Sequence, residues 1–267
     1  MTSAPGRVLI IAGSDSGGGA GIQADIKAVT LMGGYAATAI TAITVQNTLG
    51  VHDVHALPLD LIEAQARAVL DDIGADAIKT GMLGSTAVVE RVAAILDSSD
   101  APAVVDPVMV AKGGAALLAD DAVAAVRALM IPRAVLLTPN APEAGALTGI
   151  AVADLDGQRR AGEALLAMGA RAVLMKGGHV PGPTVIDLLL TPSGETLLEG
   201  ERFDTRNTHG TGCTLASACA AGLALGLPLE VAVAKAWAYV AEAIRRAPGL
   251  GGGHGPLDHG WPIRDRT

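Results

Sequence analysis

Val8-Leu9-Ile10-Ile11-Ala12-Gly13-Ser14-Asp15-Ser16-Gly17-Gly18-Gly19-Ala20-Gly21-Ile22 decides how the rest of the chain folds. Val8–Ala12 is a short unbroken apolar run, the pattern of a strand buried on both faces of a parallel sheet. A glycine-rich turn follows, and a helix is predicted from Ile22 to about Met32. Strand, glycine-rich turn and helix together are the layout of a nucleotide or phosphate site. Gly19-x-Gly21-x-x-Ala24 fits the G/A form of the dinucleotide fingerprint, which also needs an acidic residue about 20 positions on. Residues 28–52 contain no Asp or Glu, so the Rossmann reading fails. Asp25, one turn into the helix, either faces a pocket or pairs with the helix dipole.

The alternation continues outward from this unit. Strands are predicted at Tyr35–Val45, Ala77–Thr80, Ala103–Val105, Ala134–Leu137 and Ala172–Met175, with a further extended piece at Val51–Leu57. Helices are predicted at Leu59–Ile73, Ser85–Leu96, near Ala122–Leu129, at Leu155–Met168 and at Leu229–Ala247. Val185–Leu190 and Glu195–Leu198 read as an antiparallel hairpin around Thr191–Gly194. The expectation is one α/β domain over residues 1–267, three layers deep, with a mostly parallel central sheet. Asp15, Gln46, Met82, Asp106, Asn140 with Glu143, and Lys176 each fall just past the C-terminal end of a strand. In open α/β sheets ligands bind along that edge.

The totals narrow the function. Half of the 267 residues are hydrophobic but only 2% are aromatic, so the core is built from Ala, Val, Leu and Ile. A formal charge of −8 without a basic run argues against nucleic acid or an anionic membrane as partner. An anionic substrate must then be held by a local positive site. Cys213 and Cys219, six residues apart on one helix, point about 240° apart and cannot bridge. A reduced, cytoplasmic protein is expected. Met1–Gly6 contains no apolar targeting segment, and Leu215–Leu227 is too short to span a membrane.

Asn207-Thr208-His209-Gly210-Thr211-Gly212-Cys213-Thr214 opens a helix of small and apolar residues. The first N–H groups of a helix lack intrahelical partners and carry partial positive charge, which suits a phosphate. The same field favours a thiolate at Cys213. There is no Walker A sequence. Phosphoryl transfer needs a phosphate cradle, a cation and a magnesium anchor. Gly210–Cys213 can be the cradle, Lys176 the cation, and Asp106 and Glu143 the anchors for Mg²⁺, directly or through water. Each has a plainer reading: Lys176 a solvated lysine, Glu143 a first-turn acid, Asn140 an N-cap. Gln46 and Asn47 either read the edge of a heterocycle or cap a turn.

Gly13-Ser14-Asp15 with Gly18 to Asp25, Val45-Gln46-Asn47-Thr48, Lys79-Thr80-Gly81-Met82-Leu83 and Val105-Asp106-Pro107-Val108 occur in order. Thr138-Pro139-Asn140 with Glu143, Lys176-Gly177-Gly178-His179 and Asn207–Thr214 follow. In this set the chain resembles the hydroxymethylpyrimidine (phosphate) kinases of thiamin biosynthesis, within the ribokinase-like superfamily, from Val8 to about Ala247. The resemblance implies ATP-dependent phosphorylation of 4-amino-5-hydroxymethyl-2-methylpyrimidine to its monophosphate and then its diphosphate. It also implies residue roles. Gln46, Asp25, Gly13, Met82 and Val108 bind the pyrimidine. Lys176, Asn140, Thr208, Thr211 and Gly212 serve ATP, and Asp106 and Glu143 serve Mg²⁺. Gly210–Cys213 form the anion hole, with Cys213 at the position of the base. A homodimer is implied too. Ser16-Gly17 departs from the Pro-Ser more common in the family, without removing a ligand.

Two other readings compete. One is a pyridoxal kinase of the same fold, or an enzyme accepting both rings; Gln46 favours the aminopyrimidine, whose ring nitrogen and amine an amide can pair together. The other is a non-catalytic pyrimidine sensor, which should have lost Lys176, Glu143 or the glycines of 210–213. All are present.

Overall fold

Strand β1 (Arg7–Asp15) runs parallel to both of its neighbours, β2 (Tyr35–Asn47) and, past the β2–β3 hairpin, β4 (Ala77–Thr80). The hairpin is completed by β3 (Gly50–Ala56), antiparallel to β2. From β4 the sheet continues in parallel through β5 (Ala103–Val105), β6 (Ala134–Leu137) and β7 (Val173–Met175). The antiparallel strands β8 (Thr184–Thr191) and β9 (Gly194–Glu201) close the far edge. The structure, a computed structural model, describes residues 5–110, 114, 117–119 and 121–265. Residues 1–4, part of the stretch read as free of a targeting segment, lie outside that set. Among the described residues the strands form one sheet in the order β3-β2-β1-β4-β5-β6-β7-β8-β9.

Alternation along β1 builds a core on each side, because successive side chains point to opposite faces. Leu9 and Ile11 join the layer holding α2 (Leu59–Asp72), α3 (Thr86–Asp97), α4 (Ala122–Ala125), α5 (Ala141–Thr148) and α6 (Leu155–Ala167). Val8 and Ile10 join the layer holding α1 (Gly21–Leu31), α7 (Thr211–Ala224) and α8 (Leu229–Arg245). Small side chains let α7 lie close between α1 and α8; a Cβ on Gly222 would sit 2.6 Å from Ala232 Cβ. A short α9 (Trp261–Arg264), which the sequence reading lacked, stacks Trp261 on Tyr239 with ring centroids 6.1 Å apart.

The three-layer α/β/α expectation holds, with differences that tertiary pairing explains. β1 and β2 run further than predicted, to Asp15 and Asn47, because β1 pairs with β2 as far as Asp15↔Thr44 and β2 with β3 as far as Asn47↔Gly50. Asp15 and Gln46 are therefore the ends of strands rather than the turns after them. The helix predicted near Ala122–Leu129 is α-helical only to Ala125, then widens into a π turn over Val126–Met130. Its last bond runs from the Ile131 N–H to the Val126 carbonyl, one residue before Pro132, which has no N–H to continue the ladder. No helix among the described residues is long and apolar enough to cross a membrane.

Candidate active site

The C-terminal strand edge opens into a cavity of about 710 Å³. Every residue singled out in the sequence as a site residue lines it except Asp25 and Asn47, whose Oδ1 instead accepts the Leu49 N–H at 2.9 Å and caps a turn. At one end Gly13, Gln46, Met82 and Val108 form the wall. A Cβ at Gly13 would run into the Met82 methyl, so the bare glycine is what lets Met82 lie against this wall. The Met82 carbonyl accepts a 2.8 Å bond from the Thr41 hydroxyl, which fixes that wall to β2.

Asp25 departs from the expectation of a direct pyrimidine contact. It is fully enclosed between α1 and α7, where both of its carboxylate oxygens accept from Lys79 Nζ at 2.9 and 2.8 Å. Ser217 Oγ donates to it at 2.7 Å. Lys79, equally buried, is the member of the pair that reaches the cavity wall. Asp25 therefore meets the cavity wall only through Lys79. The signal in the sequence was Lys79 itself: an ammonium in a four-residue buried strand must have an acid partner.

Midway along the cavity Lys176 stands between two carboxylates. Its Nζ donates to Asp106 Oδ1 at 2.9 Å and lies 3.7 Å from Glu143 Oε2. Thr138 Oγ1 donates a further 3.2 Å bond to Asp106 Oδ1. Glu143 and Asn140 form a capping box at the start of α5: Asn140 Oδ1 accepts the Glu143 N–H at 2.9 Å, and Glu143 Oε2 the Asn140 N–H at 2.8 Å. The plain N-cap reading of Asn140 and the site reading are therefore both realised. Burial holds the Glu143 carboxyl up, at about 7, even against the charge of Lys176, with Asp106 pushing the same way. Desolvation works against the Lys176 ammonium, but Asp106 and Glu143 outweigh it and raise its pKa. Two acids share one base, so the trio is short of positive charge. That suits the oxygen-rich, partly hydrated site Mg²⁺ prefers. Among the described residues no group of three His, Cys, Asp or Glu forms a self-contained metal cage.

The phosphate end is the start of α7. Gly210 caps the helix with φ +82°, and a Cβ there would meet the Gly19 carbonyl, so the glycine-rich turn and the helix start touch backbone to backbone. The intrahelical ladder begins with Thr214 N–H to Gly210 O at 2.9 Å, which leaves the Gly212 and Cys213 amides in the open first turn. Thr211 Oγ1 donates to the Thr208 carbonyl at 2.8 Å and stiffens the loop. A Cβ on Gly212 would sit 3.0 Å from Lys176 Nζ and 3.6 Å from Asp106 Oδ2, so helix start and charged trio face each other directly. The expected thiolate at Cys213 is not favoured in the unliganded protein. Burial pushes the thiol up to about 12, and the Lys79 charge and the Gly21 amide only partly oppose it.

Sequence reasoning missed three parts of the site. His209 has no role in the sequence reading; it ties the phosphate loop to the glycine-rich turn through Asp15, which the sequence places on the edge, with Nε2 and Oδ2 2.9 Å apart. Asp187, the lone charge in an apolar strand, accepts the Gly177 N–H at 2.6 Å and so braces the turn after Lys176; burial pushes its carboxyl up to about 6. The far end of the cavity is apolar, lined by Val185, Phe203, Trp237, Val240 and Ile244. Phe203 is the only phenylalanine of the chain, and no local pattern marks it. Nearby, Arg202 ties down the adjoining loop through the Gly178, Val180 and Gly182 carbonyls at 2.9, 2.6 and 2.7 Å.

Comparison with known proteins gives one consistent result. The phosphomethylpyrimidine kinase family profile matches residues 15–258. The hydroxymethylpyrimidine/phosphomethylpyrimidine kinase of Streptomyces coelicolor is 52% identical over 259 residues, covering 97% of this chain and 96% of that protein. The thiamine biosynthesis bifunctional protein ThiED of Geobacter sulfurreducens is 48% identical over 98% of this chain, which spans 54% of that longer protein. Among solved structures, the pyridoxal kinase of Staphylococcus aureus in complex with AMP-PCP and pyridoxal superposes with a TM-score of 0.91 at 36% identity. It covers 98% of this chain, and the alignment takes in 96% of that one.

Proposed function

The chain belongs to the phosphomethylpyrimidine kinase family, and from that premise we infer which of its residues carry each part of the reaction. The reaction is ATP-dependent phosphorylation of 4-amino-5-hydroxymethyl-2-methylpyrimidine to its monophosphate and then its diphosphate, in thiamine biosynthesis. The observation that carries the assignment of roles is the direct facing of the α7 start and the Asp106–Lys176–Glu143 trio across Gly212.

The pyrimidine lies against Gly13, Gln46, Met82 and Val108, with the Gln46 amide pairing ring nitrogen and amine. The adenine of ATP occupies the apolar end at Phe203, Trp237 and Ile244, and Asn140, Thr208 and Thr211 flank the phosphates. The γ-phosphoryl group sits on the Gly212 and Cys213 amides, which meet the charge that builds on its oxygens. Lys176 adds a point charge on the opposite side. Asp106 and Glu143 would hold Mg²⁺, directly or through water, where it would neutralise phosphate charge. In the first step Cys213 first gives its thiol proton to solvent, and the thiolate so formed accepts the alcohol proton as the bond to phosphorus forms. Ionising that thiol draws on the Lys79 ammonium behind it. In the second step the monophosphate oxygen, with a second pKa of about 6, is already largely ionised and needs no base.

A homodimer and a cytoplasmic location complete this reading. The dimer is supported by Ile43 and Val45, 49% and 55% exposed on one face of β2. Sedimentation equilibrium tests it. The activity is tested by incubating purified protein with ATP, Mg²⁺ and either the aminopyrimidine alcohol or pyridoxal, and separating mono- and diphosphate products. Pyrimidine diphosphate must form. Lys176→Met should slow both transfers roughly 10²–10³-fold. A variant that lost pyrimidine binding at unchanged turnover would move Lys176 to the other half of the site.

A further inference from the structure

Four side chains at the pyrimidine end share too few protons for their positions to be independent. His209 Nε2 lies 2.9 Å from Asp15 Oδ2 and 3.2 Å from the Gln46 amide nitrogen. The Gln46 amide oxygen lies 3.2 Å from Thr44 Oγ1, and that hydroxyl also reaches the Ser14 carbonyl at 2.8 Å. Asp15 already accepts the Gly17 and Ala20 amides at 2.8 Å and the Gly19 amide at 3.1 Å, so it is an ionised acceptor. Burial alone would raise its carboxyl; the bonds from His209 and these amides hold it below its usual range.

The protons can be assigned by elimination. If His209 Nε2 were unprotonated, its lone pair would face the Asp15 carboxylate, acceptor against acceptor. Nε2 therefore carries the proton and donates to Asp15. The Gln46 amide nitrogen beside it then becomes a second donor pointed at a donor. The one proton of Thr44 Oγ1 goes to the shorter contact, Ser14, which leaves that hydroxyl able only to accept. Amide nitrogen and oxygen have the same shape, and their placement follows from the bonds around them. Exchanging them satisfies every group: Gln46 Oε1 shares the His209 proton, and Gln46 Nε2 donates to Thr44 Oγ1.

We propose that His209 is a positioning residue that fixes the sense of the Gln46 amide and thereby the pyrimidine edge the enzyme accepts. It rests on the reading of Gln46 as the ring-binding residue. Held this way, the amide turns one free N–H and one free oxygen lone pair to the cavity, which match the ring nitrogen and exocyclic amine of a 4-aminopyrimidine. His209 also precedes Gly210, so the side chain that sets ring recognition starts the loop that receives the phosphoryl group.

The test measures dissociation constants by calorimetry for the aminopyrimidine alcohol and its analogue lacking the amine. Proteins are wild type, Gln46→Met, His209→Leu, His209→Gln and the double variant Gln46→Met/His209→Leu. His209→Leu should cut the preference for the amine on the order of 10–10²-fold. His209→Gln, which returns an N–H near the Nε2 position, should restore most of it. In the Gln46→Met background the His209→Leu effect should vanish. An unchanged preference in Gln46→Met would sink the underlying reading of Gln46. Loss in Gln46→Met with full preference in His209→Leu, or a His209→Leu effect that persists without Gln46, would overturn the role of His209 alone. Neutron diffraction on deuterated wild-type crystals checks the same assignment without any variant: deuterium must sit on His209 Nε2, and the Gln46 ND₂ group must face Thr44. The opposite amide placement overturns the proposal.

Discussion

Lys79 Nζ lies 2.9 and 2.8 Å from the two oxygens of Asp25, and neither side chain reaches solvent. The pair bridges β4 and α1, and through Ser217 it also fastens α7, one helical turn beyond Cys213. Removing one member strands the other charge in the core, which costs far more than the pair itself contributes. Asp25→Ala should lower stability by about 3–5 kcal/mol. Asp25→Ala/Lys79→Met, with no charge left to bury, should recover most of the loss. Urea unfolding midpoints decide this; a double variant as unstable as the single one would mean the pair acts through its shape.

Glu143 gives the unliganded protein a pH dependence of definite sign. Its carboxyl titrates at about 7 in the folded protein against an ordinary 4.5. Between those values the folded state binds the extra proton, so stability falls as pH rises. The loss is fully present above pH 7 and is on the order of 3 kcal/mol. Glu143→Gln retains the cap acceptor and lacks the charge. It should be more stable than wild type at pH 8 and equal to it near pH 4, while phosphoryl transfer falls. Melting temperatures across pH 4–8 test the sign, and a Glu143→Gln curve parallel to wild type would refute it.

Gly212 separates activity from stability. It is absent from the glycines with positive φ, so alanine fits its backbone. The new methyl would crowd Lys176 Nζ, 3.0 Å from the added carbon. Gly212→Ala should move the melting temperature only slightly, since alanine's preference over glycine in a helix, up to about 1 kcal/mol, works against the crowding of Lys176 Nζ. Both phosphoryl transfers should slow by at least 10-fold, on the order of one displaced charge contact. Full activity with the methyl in place would mean that Lys176 works from another position.

Cys213 separates the two reactions. Cys213→Ala should slow the alcohol step on the order of 10²–10⁴-fold and the monophosphate step much less, because the backbone anion hole survives. Single-turnover rates on one preparation compare the steps, and equal losses would make Cys213 an element of loop shape. With its thiol held near 12, Cys213 should also react slowly with iodoacetamide at pH 8 in the unliganded protein. Cys219 is fully buried, so single-site labelling reads Cys213.

What was legible in the sequence is what the chain encodes over short range. The buried run Val8–Ala12 and its glycine turn announce a parallel strand feeding a helix. Asn140 and Glu143, three residues apart, close a capping box within one helical turn. Once strands and helices alternate, every polar residue at a strand's C-terminal end is placed on one edge, which is why the sequence alone groups Asp106, Lys176 and Gln46.

Tertiary structure alone decided the partners. Asp25 meets Lys79 because β1 lies between β2 and β4, and it meets Ser217 because α7 packs on α1, 192 positions away. His209 meets Asp15 across 194 positions. Strand order and helix packing set those distances, and hydrophobic periodicity carries no information about either. Sequence could therefore say that Asp25 and Lys79 carry charge, but only the packed core, where an unpaired charge is prohibitive, made them partners of each other rather than of the substrate.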